Sequence, residues 1–152
     1  MASASSIAAM PSPEDQQRVA AYGVARSRNE VLLVRASSAT GVPGTWWLPG
    51  GGFKFGESPE ECLAREFMEE TGLVARVGDV LDVVSDVAML LREPVRLHSA
   101  RLIYEVEVAR GSERPEADGS TDAVRWVQYR DLEALPLIPW LTDLAATHLL
   151  PR

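Results

Sequence analysis

The chain has a single cysteine, Cys62, so no internal disulfide can form and a reducing compartment is the natural setting. Its two histidines, His98 and His148, stand isolated, and with one thiol they offer no spacing for a zinc site. No apolar run approaches the roughly 20 residues needed to span a bilayer. The N-terminus lacks a basic region followed by a long apolar one, and Ile7–Met10 is too short to direct export. These absences lead to the expectation of a soluble, cytoplasmic protein without a membrane partner. Positive charge is scarce too: Lys and Arg number 15 against 22 Asp and Glu, giving a net charge of −7. That balance argues against broad nucleic-acid binding. A phosphorylated small molecule would need local help from metal ions or a few basic side chains.

What is present suits one globular domain. The 152 residues can bury a sizeable core, and the hydrophobic and charged fractions of 46% and 24% are ordinary. Residues 1–16, small and interrupted by Pro11 and Pro13, read as a mobile tail, leaving 17–152 as the domain. Arg18–Val24 and the apolar run Val31–Val34 suggest a hairpin turning at Ser27–Glu30, its second strand buried on both faces. Trp46-Trp47-Leu48-Pro49 leads into three glycines, Gly50 to Gly52, where another group can approach the backbone closely. Further strands are expected at Val74–Ser85, Val87–Leu91 (ended by Arg92-Glu93-Pro94), Arg96–Val108 and Val124–Val127. A short helical turn at Asp131–Leu135 and an amphipathic helix at Ile138–Leu149 follow, the latter with Leu141, Leu144, Ala145 and Leu149 inward. This order implies an α/β fold, a mixed sheet with helices on two faces.

The helix after the glycines is the best specified. Ser58 is an N-cap with Pro59 at N1 and Glu61 at N3, a capping box, and Gly72 is placed to end it. At about 100° per residue, Leu63, Ala64, Phe67 and Met68 fall on one arc and Glu66, Glu69 and Glu70 on the other. Cys62 lies beside the carboxylate arc and is read as packing. Carboxylates at i, i+3 and i+4 sit about 5–6 Å apart. Each pair then repels by roughly 3 kcal/mol at an effective dielectric near 20. A cation or a raised pKa relieves such a cluster, and all-oxygen ligands suit Mg²⁺ or Mn²⁺.

Gly51, Glu57 and Arg65-Glu66-Phe67-Met68-Glu69-Glu70-Thr71-Gly72-Leu73 stand at offsets that resemble the Nudix box, G-x5-E-x7-R-E-U-x-E-E-x-G-U with U apolar. Every specified position matches. Trp46 to Gly50 and Arg125 to Val127 also look like that family. The resemblance implies a Nudix-type α/β/α sandwich around a mixed sheet. It also implies hydrolysis of a nucleoside diphosphate linked to another moiety, with Mg²⁺ or Mn²⁺ as cofactor and a small nucleotide as partner. Glu69 and Glu70 become metal ligands, Glu66 a ligand or general base, and a backbone carbonyl at Gly50 or Gly51 a further ligand. Glu57 and Arg65 are then a salt bridge bracing the site.

A further acidic residue outside the box often serves as ligand or base in that family, and Glu105 and Asp122 are the candidates for it. Arg35 resembles an arginine that contacts substrate phosphate. Trp46 or Trp47 could stack on a base, and Trp126 reads as core. Dimerisation is common in the family, so a homodimer stays open. The alternative to an enzyme is a Nudix-like sensor that binds a nucleotide without turnover; an intact box speaks for the enzyme. Substrate choice is expected to lie in loops such as Ala36–Gly44, Val84–Arg96 and Ala109–Thr121.

Overall fold

The computed structural model describes residues 12–90 and 93–149. Seven strands form a mixed sheet: β1 (Glu14–Ser27), β2 (Glu30–Ala36), β3 (Trp46–Trp47), β4 (Gly50–Gly52), β5 (Arg76–Met89), β6 (Val95–Glu107) and β7 (Thr121–Gln128). The main path runs β3-β2-β1-β6-β5, with β4 on β1 and β7 on β2. Strand β1 pairs in parallel with β6 along its length, while its pairing with β2 is confined to the hairpin end, Arg26 with Val31 and Ser27 with Glu30. The sheet therefore opens between β1 and β2, and β4 fills the gap by pairing Gly50–Gly52 against Ala20–Tyr22.

Helix α1 (Pro59–Thr71) covers one face and α2 (Pro139–His148) the other, completing an α/β/α sandwich. Alternation along β1 divides the core between them. Ala21 and Ala25 face α1, where Leu32, Leu63, Phe67 and Tyr104 join them. Tyr22 and Val24 face α2, meeting Leu33, Ile103, Leu141 and Leu144. Val31 to Val34 are fully buried, as a strand covered on both faces requires. Leu141, Leu144, Ala145 and Leu149 do turn inward.

The ends of α1 follow the expected chemistry. Ser58 accepts from the Glu61 amide at 3.2 Å while Glu61 accepts from the Ser58 amide at 2.8 Å, and Gly72 stops the helix with φ 71°. Its apolar face is narrower than the wheel suggests. Leu63 and Phe67 are buried with Cys62, but Ala64 and Met68 are exposed. The helix meets the sheet along one line of contact, and the flanks of the arc lie beyond it.

Other elements depart from their expected bounds. Glu14 to Gln16, expected in the tail, pair with Val95 to Leu97, and Asp15 is held bidentately by Arg96 at 2.6 Å per bond. The rest of the expected tail, residues 1–11, lies outside the described residues, as do 91–92 within the expected strand end and break. The segments foreseen on either side of Asp86 are one strand, because Asp86 pairs with Ser99 and its carboxylate accepts from Arg101 at 3.0 Å. The short helical turn is a 3-10 helix, Tyr129–Ala134. Among the described residues no helix is long and apolar enough to cross a membrane.

The docking of α1 rests most heavily on Phe67, which is fully buried. Phe67→Ala is expected to lower unfolding free energy by roughly 3–5 kcal/mol, measured by urea denaturation followed by circular dichroism.

Candidate active site

The site forms where α1 crosses over β4. Gly50 adopts φ 147°, and a side chain there would strike the Ala21 carbonyl at 2.2 Å, so only glycine lets β4 lie this close to β1. The Gly50 amide then points at α1 and donates to Glu70 Oε2 at 2.9 Å. At Gly51 a Cβ would sit 2.6 Å from the Glu66 carboxyl carbon, so the Glu66 head rests on bare backbone. The Gly51 carbonyl accepts from the Cys62 thiol at 3.4 Å, and burial pushes that thiol up to about 11, which leaves it an inert packing group.

The three helix carboxylates occupy different environments. Glu70 is 2% exposed, Glu66 is half-buried and Glu69 is exposed. Burial raises the Glu70 pKa well above its ordinary value; the Gly50 amide opposes this, while the negative charges of Glu66, Glu116 and Glu69 add to it. Arg65 supplies the positive charge that the cluster needs. Its Nη1 donates to Glu66 at 2.9 Å and to Glu69 at 3.4 Å, Nη2 to the Gly52 carbonyl at 3.2 Å and to Glu57 at 3.0 Å, and Nε to Glu57 as well. The Arg65 guanidinium, helped by the Lys54 amide, holds the Glu57 carboxyl down at about 2. Among the described residues no three acidic, histidine or cysteine side chains are gathered closely enough to hold an ion as they stand. The donor chemistry nevertheless fits a hard cation: a buried carboxylate beside two more on the helix and one from a loop, all oxygen, with no imidazole or thiolate competing.

Glu66 and Glu70 line a cleft of about 460 Å³. Arg18 of β1 and Arg101 of β6 line it too, as do Trp47, Trp140, Met89 and Leu97. Carboxylates, two guanidiniums and aromatic rings in one cleft are suited to a polyanion carrying a flat apolar group.

Known proteins resemble the chain. A family model of the NUDIX domain matches residues 15–147. The chain belongs to the NUDIX family. It is 33% identical to an ADP-ribose pyrophosphatase of Methanocaldococcus jannaschii over 78% of its own length and 64% of that protein's. It is 32% identical to the nucleoside triphosphatase NudI of an Enterobacter species over 54% of its length and 55% of that protein's. It thus spans less than two thirds of either relative. Among solved structures, a MutT NUDIX hydrolase from Burkholderia pseudomallei superposes with a TM-score of 0.73 at 26% identity, covering 89% of this chain and 99% of that one.

Within this NUDIX domain the structure sorts the residues named from sequence. The box residues Gly51, Glu57, Arg65, Glu66, Glu69 and Glu70 come together at the cleft. Trp47 lines the cleft, whereas Trp46 is buried beneath Arg125 and Arg35, whose guanidinium carbons lie 4.8 and 5.8 Å from its ring centre. Arg35 spends its Nε on Asp122 at 2.7 Å, and neither residue lines the cleft. Glu105 is bound by Arg26 at 2.7 Å, in a separate cleft roughly 13 Å further along β6 than Arg101 at the usual strand rise. Trp126 is half-buried, donating to Glu113 at 2.8 Å under the Arg110 guanidinium.

Sequence reasoning passed over Glu116, Arg18, Arg101 and Trp140. Glu116 sits in the loop before β7, accepts from the Thr121 amide and hydroxyl at 3.4 and 3.3 Å, and is the extra-box carboxylate whose charge reaches Glu70. Only its place just ahead of the Arg125-Trp126 strand could have drawn attention to it.

The chain's single lysine, Lys54, lies in the turn that Glu57 and Arg65 brace, and its amide donates to Glu57 at 2.7 Å. Arg65→Met is expected to free this turn and accelerate cleavage by a lysine-specific protease several-fold, read as the rate of appearance of two fragments on a gel, relative to the parent protein.

Proposed function

We infer that the chain hydrolyses the anhydride bond of a nucleoside diphosphate linked to a further group, using Mg²⁺ or Mn²⁺ held by Glu66, Glu69 and Glu70. The observation that carries this reading is Glu70, a buried carboxylate pinned by the Gly50 amide in a cleft that Trp47 and Trp140 also line. Nudix hydrolases generally use divalent metals. When bound, such an ion neutralises pyrophosphate oxygens and lowers the pKa of a water. The protein's own parts account for the rest. The Gly50 amide and Gly51 backbone hold Glu70 and Glu66, which limits how far their oxygens must move when an ion binds. Arg65 holds Glu66 and Glu69 in place while they lack another cation, and Glu57 keeps Arg65 from swinging out. Arg18, against which a Cβ on Gly52 would lie at 2.9 Å, lines the same cleft and supplies a direct contact to phosphate. Glu116, held by Thr121, takes the proton of the attacking water.

The substrate class follows from the cleft and from the relatives. An ADP-ribose pyrophosphatase and a nucleoside triphosphatase both act on a base-bearing polyphosphate, and nucleotide sugars share that chemistry. The test is a nucleotide panel with Mg²⁺ or Mn²⁺ and products identified by mass. Turnover is expected to vanish with a chelator and return with added metal. Glu70→Gln is expected to reduce it about 10²-fold or more at retained thermal stability, and Glu116→Gln by about 10²–10⁴-fold. Unimpaired turnover in Glu70→Gln would overturn the assignment, and a nucleotide bound but recovered intact would make the protein a sensor.

A further inference from the structure

The cleft holds a fixed cation besides its carboxylates. Arg101 is 9% exposed, and its guanidinium is fixed twice over: Nη1 donates to Asp86 at 3.0 Å, and the group lies 5.2 Å from the Trp140 ring centre. No protein atom among the described residues accepts from Nε or Nη2, yet neither is sealed from solvent. Those donors open on the cleft that Arg101 lines. Ser99, two residues earlier on the same face of β6, is 3% exposed, also lines the cleft, and has no hydrogen-bond partner for its hydroxyl among the described residues. Asp86 does not line the cleft, whereas Tyr22, Glu66 and Glu70 do. Arg101 and Ser99, about nine-tenths buried or more, thus offer hydrogen bonds in a cleft that Trp47 and Trp140 also line.

We propose that Arg101, beside Ser99, reads the edge of the substrate's base and selects bases carrying an oxo group over those carrying an amino group at the same position. A flat ring between aromatic walls turns its rim toward these donors. An oxo oxygen has two lone pairs for them, as in the arginine fork to the oxygen edge of a guanine. An exocyclic amino group there sets donor against donor at the Arg101 guanidinium, which cannot accept, whereas the Ser99 hydroxyl can turn to accept from it. The ion pair with Asp86 and the stack on Trp140 keep the fork in place, so little entropy is lost on binding. This inference rests on the proposed nucleotide reading.

Nucleoside monophosphates test it without hydrolysis, since they contain no anhydride bond. Inosine and adenosine monophosphates differ at an oxo against an amino group, as do uridine and cytidine monophosphates. Titrations followed by tryptophan fluorescence should give the oxo member of each pair a Kd lower by about tenfold, the scale of one good base-edge contact. Arg101→Met should bring both ratios close to one while leaving the Kd of the amino members within about twofold. Ser99→Ala should leave both ratios close to those of the parent protein, because a hydroxyl serves an oxo or an amino group alike. Equal affinity within each pair in the parent protein would overturn the proposal whatever the variants do. So would an equal loss for all four ligands in Arg101→Met, which would assign the guanidinium to phosphate. A clear oxo preference in a protein that cleaves no nucleotide would leave this inference standing and remove the hydrolytic one.

Discussion

Arg65 places its guanidinium among four partners at once, and the geometry of the site depends on that one group. Through Glu57 and the Gly52 carbonyl it ties the glycine strand and the turn after it to the helix. Through Glu66 and Glu69 it offsets the repulsion that three carboxylates on one helix would otherwise cause. A planar fork can serve both directions, which a lysine ammonium could not do with the same fixed geometry. Glu57 and Glu66 in turn hold the Arg65 proton more firmly than usual. Arg65 thus offsets part of the negative charge on that face of the helix.

That arrangement leaves Glu70 as the exception, and the exception is informative. Arg65 makes no hydrogen bond to it, and its one hydrogen bond among the described residues is from a backbone amide, in a buried place near the negative charges of Glu66, Glu116 and Glu69. A fold seeking stability alone would put an apolar side chain there, because removing a carboxylate from water is costly unless it is paired. Its presence marks the point where the protein carries an unmet need for positive charge, and that point lies in the cleft.

Much of this was legible from the sequence because it is local. Ser58, Pro59, Glu61 and Gly72 act within a turn of themselves, and Gly51, Glu57 and Arg65 to Leu73 form a continuous pattern of fixed offsets. Val31 to Val34 announce double burial by composition alone. What could not be read is what depends on separate strands meeting. The wheel put Ala64 and Met68 in the core, since periodicity gives the direction of an apolar face but not its width, which the curvature of the partner sheet sets. Arg18 and Arg101 look like ordinary strand charges until parallel pairing of β1 with β6 puts them on one face. Asp86 falls between two expected strand segments for the same reason, since its partner Arg101 lies on the next strand. Glu116 is one acid among many in a polar loop, and its role depends on where that loop lands.

The cleft also answers the difficulty set by the net charge of −7. An acidic protein repels a polyphosphate at long range, but within about a Debye length only nearby charges count. Arg18 and Arg101 are the cations lining the cleft among the described residues, and they differ in surroundings. Arg18 is exposed and has no ion-pair partner among the described residues, so it can follow a mobile phosphate chain. Arg101 is buried, paired and stacked, so it can only accept what fits its fixed direction. One cation is built for charge and the other for shape. On the proposed reading, affinity for phosphate and choice among bases would then fall to different residues, so that the second could change without disturbing the first.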